Sequence, residues 1–216
     1  MAELILVRHG QANSHATNEE SYDQLSVLGA QQAEWLGAHL AGTNPHFDRV
    51  LTGTLNRQTE TARNMGYEIT TRDPRLNELS YFALAEALEA EHGIPAPREA
   101  TEFARYLPQV IDHWVRGALS DVPESFDEFA GRITGVIDEL CQDHGRILVV
   151  TSGGVIGMIM RHALGLETPG MAKVMLQIMN SSMHRLEHVH DMLMVGSFNA
   201  TPHLDIPERA HARTFI

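Results

Sequence analysis

An unbroken apolar run, Leu4-Ile5-Leu6-Val7, lies near the start of the chain and gives way to Gly10. With no polar alternation, it predicts a short strand over Glu3–Val7 that is buried on both faces. From Ser26 the period changes. Leu28, Ala33, Leu36 and Leu40 recur at helical spacing, with Ser26 as the N-cap and Gly42 as the stop. Arg49–Thr52 reads as a weaker second strand, Asn56–Met65 as a second helix ended by Gly66, and Tyr67–Thr71 as a third strand. The succession β-α-β-α-β predicts a layered sheet with mostly parallel strands.

From about Phe82 to Pro123 the pattern turns wholly helical. Phe82–His92 and Glu99–Leu119 are separated by Gly93-Ile94-Pro95-Ala96-Pro97, and together they read as an insertion over one end of the sheet. Ser125 and Glu128 have the spacing of a capping box and open a helix to about Asp143, ended by Gly145. Arg146–Thr151 carries the strongest strand pattern, Ile147-Leu148-Val149-Val150, and runs through Ser152-Gly153-Gly154 into a helix reaching Leu164. A hairpin follows, Met183–Val189 and Met192–Ser197 around His190-Asp191, and the polar tail after Asn199 is expected along the surface. The fold class expected is α/β: a three-layer α/β/α sandwich with a mostly parallel central sheet, a helical insertion at about 82–123, and one domain over 1–216.

Composition narrows the partners. A chain of 216 residues with 43% hydrophobic and 20% charged residues is ordinary for a globular protein. Its formal charge of −12 disfavours nucleic acid or an anionic membrane as main partner, since both call for a basic surface. A few local arginines can still hold a small anion. Cys141 is the only cysteine, so neither an internal disulfide nor a cysteine-rich metal site can form. The apolar start lacks a basic leader, and Val155–Met160 is too short to span a bilayer, so a cytoplasmic location is expected. A homodimer is compatible with the sequence, which carries no signal of oligomeric state.

In open α/β sheets, ligands bind beyond the carboxyl ends of the strands. Arg8-His9-Gly10 follows the first strand, the segment from Thr52 to Arg57 follows the second, and Ser152-Gly153-Gly154 follows the strongest. Leu76-Asn77-Glu78 lies just past the third. Two arginines, a histidine, a carboxylate and a glycine-rich helix start would therefore meet in one crevice. Arginine offers a planar fork to phosphate oxygens, and a helix N-terminus offers free N–H groups. A neutral imidazole at His9 can attack phosphorus and become a phosphohistidine. Arg8 and Arg57 would take up charge in the transition state. A Glu78 carboxyl kept protonated in a closed site would protonate the leaving alcohol and then activate water. No metal or cofactor is implied, because the guanidinium groups supply positive charge. Taken singly each residue has a plainer role: Arg-His-Gly as a surface turn, Arg57 facing solvent, Glu78 pairing locally, Ser152-Gly153-Gly154 as a tight strand-to-helix turn.

The chain resembles the histidine phosphatase superfamily, which includes the cofactor-dependent phosphoglycerate mutases. Leu6-Val7-Arg8-His9-Gly10, Leu25 to Ala33, Leu55 to Ala62, Arg75-Leu76-Asn77-Glu78, Pro123-Glu124-Ser125 and the strand leading into Gly153-Gly154 carry the resemblance, in the family's order. It implies a three-layer fold, His9 as phospho-acceptor, Arg8 and Arg57 on the phosphate, and Glu78 as proton donor. It also implies an insertion between the third and fourth strands that shapes substrate choice. The insertion here is short, which favours a phosphatase over a mutase.

One position departs from the family pattern. Members carry Ser-His-Gly-Gly after the strongest strand, and here Thr151-Ser152-Gly153-Gly154 puts Ser152 where a second histidine is expected. Serine can hydrogen-bond a phosphate oxygen but cannot carry charge, and losing one such donor costs roughly 2.7–4 kcal/mol of transition-state stabilisation. Expected phosphate contacts are therefore Arg8, Arg57, Ser152 and Gly153, with His9 and Glu78 catalytic. A small phosphorylated substrate is the expected partner. The alternatives are a catalytically weak phospholigand-binding protein on the same fold, and a mutase. A serine hydrolase at Ser152 is disfavoured because Val150 occupies the first glycine position of Gly-x-Ser-x-Gly. His184 reads as an ordinary strand histidine, His188 and His190 as exposed hairpin residues, and the ten methionines as core filling.

Overall fold

The computed structural model describes residues 2–13, 16–97 and 99–215, apart from the Ala100 side chain. In chain order its elements are β1 (Ala2–Arg8), α1 (Glu19–Tyr22), α2 (Val27–Thr43), β2 (Arg49–Thr52), α3 (Asn56–Asn64) and β3 (Thr71–Arg72). Then come α4 (Tyr81–His92), α5 (Ala100–Val115), α6 (Phe126–Cys141), β4 (Gly145–Thr151), α7 (Gly153–Leu164), α8 (Thr168–Gln177), β5 (Met183–Val189) and β6 (Met192–Ala200).

The strands form one sheet in the order β3-β2-β4-β1-β5-β6. The β1–β4, β2–β4 and β2–β3 pairs are parallel, and the hairpin β5–β6 joins β1 antiparallel. The expected α/β architecture with a mostly parallel sheet is the one observed, as is the helical segment between the third and fourth strands. Period-two alternation divides the core. Ile5, Val7, Leu148 and Val150 face α2 and α3, while Leu4, Leu6, Ile147 and Val149 face the larger cluster made with α4 to α8.

This division places the site. The chain leaves β1 toward α2 on one face and leaves β4 toward α7 on the other. β1 and β4 are neighbours in register from Ala2–Gly145 to Arg8–Thr151. Their loops part in opposite directions, which opens a crevice above their carboxyl ends.

Local signals hold where backbone chemistry is explicit. The Ser26 side chain accepts from the Gly29 N–H, and Ser125 and Glu128 form the reciprocal capping box at the start of α6. Three expectations need correction. The third strand is only Thr71–Arg72, not Tyr67–Thr71, because the Thr70 hydroxyl accepts the Val50 N–H and ends the ladder. Helix α5 stops at Val115 instead of Leu119, where the Ala118 N–H returns to the His113 carbonyl. The tail beyond Asn199 does not run along the surface: Thr201, His203, Leu204 and Ala212 are buried. Polar residues make it look solvated, yet its backbone carbonyls find buried partners. Gln32 Nε2 donates to the Ala212 carbonyl at 2.7 Å, and Asn180 N donates to the Thr214 carbonyl at 2.8 Å.

Two buried histidines belong to this packing. His184 lies opposite Leu6 on the larger core face; its Nδ1 accepts the Asn199 N–H, so Nε2 donates to Ser182 Oγ. His203 Nε2 meets Ser181 Oγ at 2.8 Å. Burial is the main cause that drives each pKa from 6.5 down to about 3. The unfolded chain therefore takes up protons below about pH 6.5 that the folded chain refuses. Stability is complete above that pH and falls as pH drops toward 3, by about 2 kcal/mol per histidine between pH 7 and 5. Urea unfolding at pH 7 and pH 5 should show this loss, and equal stability at the two would mean that these rings titrate freely.

Candidate active site

The crevice collects side chains from distant segments. Arg8, Arg57, Glu78 and Gly153 line a single cavity of about 220 Å³. His9 and Ser152 do not line it. His9 is 1% exposed and packs edge-to-face on Tyr22 with ring centroids 6.4 Å apart. Tyr22 does line the cavity, and the Arg57 guanidinium lies 5.0 Å from its ring centroid.

The backbone around His9 is fixed on every side. Its N–H donates to the Thr151 carbonyl and its carbonyl accepts the Ser181 N–H. The Gly10 N–H donates to Thr61 Oγ1, whose own hydroxyl donates to the Arg57 carbonyl, so the histidine loop and the arginine helix share one residue. A Cβ at position 10 would lie 2.2 Å from the Gly29 carbonyl oxygen, so only glycine lets this loop pass α2.

The imidazole has a defined tautomer. Nδ1 lies 2.7 Å from the Gly10 carbonyl, which can only accept, so Nδ1 carries the hydrogen and Nε2 the lone pair. Burial pushes the His9 pKa well below 6.5, and the positive charges of Arg57 and Arg8 push it the same way, against the Gly10 hydrogen bond. At neutral pH the ring is uncharged, with the lone pair on Nε2.

Both arginines are buried and both have an Nε with no hydrogen-bond partner. Arg8 is anchored by Nη1, which donates to the carbonyls of Ile178 and Phe215, and burial lowers its pKa. Arg57 is anchored by Asp23. Helix α3 begins after Leu55, which has no side-chain acceptor, and Asp23 caps it from a distance. Its carboxylate accepts from Asn56 N at 2.8 Å, from Arg57 N at 3.1 Å and from Arg57 Nη1 at 3.1 Å.

Helix α7 is capped in the same way. Ser152 stands at its N-cap but makes no capping bond. Instead Glu78 Oε2 accepts the Gly154 N–H at 3.0 Å, while Oε1 accepts its neighbour's, Leu79 N. A Cβ at position 154 would meet Glu78 Oε1 at 2.3 Å, so glycine is what lets the carboxylate approach the helix start. The Ser152 hydroxyl turns to Gln58, accepting from Nε2 at 2.8 Å.

The sequence did not point to Tyr22, Asp23 or Glu19. They sit in a short segment with no periodic pattern, and Asp23 caps a helix far along the chain. Glu19 lines the cavity and accepts the Phe82 N–H, and burial raises its pKa. His184 does not line the cavity.

The sequence pattern of the histidine phosphatase superfamily (branch 1) matches residues 4–201. A broad-specificity phosphatase of Saccharomyces cerevisiae is 24% identical over 211 residues, spanning 93% of this chain and 86% of that protein. Among solved structures, phosphoserine phosphatase from Entamoeba histolytica aligns with a TM-score of 0.70 at 20% identity, covering 94% of this chain and 100% of that one. That protein holds phosphoserine in one structure and 3-phosphoglyceric acid in another. The α-ribazole phosphatase from Shigella flexneri aligns with a TM-score of 0.67 at 20% identity, covering 92% and 96% of the two chains. At such identities the structural likeness is one of fold.

Asp23 carries a prediction of its own. Asp23→Ala leaves the start of α3 uncapped and Arg57 without its carboxylate, and should lower unfolding free energy by about 2 kcal/mol. Asp23→Asn should recover roughly half of that, since an amide oxygen still caps the helix. Urea denaturation measures both, and an Asp23→Ala protein as stable as the parent would contradict the capping role.

Proposed function

This chain belongs to the histidine phosphatase superfamily, and from that premise we propose that it hydrolyses a small phosphomonoester through a phosphohistidine on His9. One observation carries the reading: a neutral imidazole with its Nε2 lone pair free sits beside two buried guanidinium groups, each with an unpartnered Nε.

The chemistry runs in two displacements. His9 Nε2 attacks phosphorus as the bond to the alcohol oxygen breaks, and the departing oxygen takes a proton from Glu78. Water then attacks the phosphohistidine, gives its proton to Glu78, and releases inorganic phosphate and neutral His9. The Nδ1–H stays on the Gly10 carbonyl throughout, which holds the ring in place and stabilises the positive charge formed on it. Arg8 and Arg57 gather the equatorial oxygens, and the α7 N-terminus adds positive potential. The guanidinium pair supplies the charge that a metal supplies in other phosphatases. Among the described residues no group of three or more His, Cys, Asp or Glu side chains could hold a metal ion.

Ser152 favours a second reading, in which the same pocket binds a phospholigand with little turnover. On the family pattern a histidine belongs at this position. Here a serine stands there, with its hydroxyl taken by Gln58 and away from the cavity. Removing one transition-state donor costs roughly a hundred- to a thousand-fold in rate.

Labelling stopped in alkaline detergent separates the two. Incubation with 4-nitrophenyl [³²P]phosphate should release inorganic phosphate and leave a phosphoprotein that is acid-labile and base-stable. His9→Ala should carry no label. An unlabelled parent that still binds orthophosphate would favour the binding protein, and label surviving in His9→Ala would rule out His9 as the acceptor.

A further inference from the structure

The phosphate end of the cavity is charged, but the remainder of its wall is not. Tyr81 and Phe82 come from the start of α4, Phe103 and Leu107 from α5, and Met175 and Leu176 from α8. The aromatic members touch in series: Tyr22 to Phe82 at 6.3 Å, Phe82 to Tyr81 at 5.7 Å, and Tyr81 to Phe103 at 5.5 Å between ring centroids. This ladder runs from Tyr22, against the Arg57 guanidinium, to Phe103, and Leu107, Met175 and Leu176 add aliphatic lining. Among the described residues, the charged groups lining the cavity are Arg8, Arg57, Glu19 and Glu78. Both cations are at the phosphate end. Lys173, the chain's one lysine, is on α8 but does not line the cavity.

A substrate with a second anionic group would therefore place it against aromatic rings and, among the described residues, meet no cation there. Glu19, already the acceptor of the Phe82 N–H, offers it no donor either. We propose that the substrate is the monophosphate ester of an apolar alcohol, aromatic for preference, with no second negative charge. The assignment rests on the phosphatase reading above and names its substrate class. Rings of the alcohol would lie edge-to-face along Tyr81, Phe82 and Phe103, which recognise an apolar body without hydrogen bonds. A cationic alcohol is a poorer fit despite the aromatic wall. Both Glu78 oxygens already accept backbone N–H groups, Glu19 accepts one, and Leu107, Met175 and Leu176 add only aliphatic surface to the lining.

Binding to His9→Ala tests recognition without needing turnover, so it stands apart from the labelling experiment. Benzyl phosphate, phosphoserine, 3-phosphoglycerate and phosphocholine all carry phosphate on a primary alcohol, and calorimetry can rank them. Benzyl phosphate should bind at least about tenfold more tightly than each of the other three. Phe103→Arg, or Leu176→Arg should the first variant misfold, should reverse the order between benzyl phosphate and 3-phosphoglycerate. Equal affinities, or a preference for phosphoserine, 3-phosphoglycerate or phosphocholine, would overturn the assignment while leaving phosphoryl transfer to His9 intact. If the labelling experiment fails but benzyl phosphate still ranks first here, the class holds for a binding protein and the hydrolytic reading falls.

Discussion

Two guanidinium groups are buried beside one imidazole, and the protein leaves both of them short of hydrogen-bond partners. Burying a charge is costly unless it is paired, and here the pairing is partial by construction. Arg57 has the Asp23 carboxylate on one nitrogen, and Arg8 has the Ile178 and Phe215 carbonyls on Nη1. Burial, joined by their positive field, keeps His9 uncharged, and a tetrahedral anion would complete both. Much of the fold serves to hold these three groups at that distance. β1 and β4 lie side by side, Thr61 ties the histidine loop to the arginine helix, and the tail returns so that the Phe215 carbonyl can reach Arg8.

Two helices point at this site without side-chain caps of their own. α3 is capped by Asp23, which also pairs with Arg57, and α7 by Glu78, which also lines the cavity. A residue that caps a helix and orients a reactive group in one act couples local stability to site geometry. Loss of either would be felt in both.

The parts of this arrangement that are written locally were legible in the chain. The apolar run ending at Arg8-His9-Gly10, the Ser26 cap, the Ser125–Glu128 capping box and the strand running into Gly153-Gly154 each declare themselves within a few residues. What stayed hidden is non-local. Asp23 acts on a helix beyond the next strand, Tyr22 earns its place only by lying between two arginines, and the tail looks solvated because its polar groups find partners from Asn180 and Gln32. The third strand was overestimated because a side chain, Thr70, substitutes for the ladder. Ser152 was legible as the turn after the strongest strand, but its pairing with Gln58 depends on α3 packing against β4. The apolar wall follows the same rule, since its three helices meet only in the folded chain.

The phosphate end and the alcohol end of the cavity are thus built by different means: the first by strand ends and helix starts, the second by the insertion and α8. The claim on which all of it depends is that His9, Arg8 and Arg57 surround one phosphorus position. A crystal structure with orthovanadate tests it most directly. Vanadium should be five-coordinate, bonded to His9 Nε2, with the Arg8 and Arg57 Nε–H groups on its equatorial oxygens. Vanadate seated elsewhere, or held in the cavity without a bond to His9, would contradict the account.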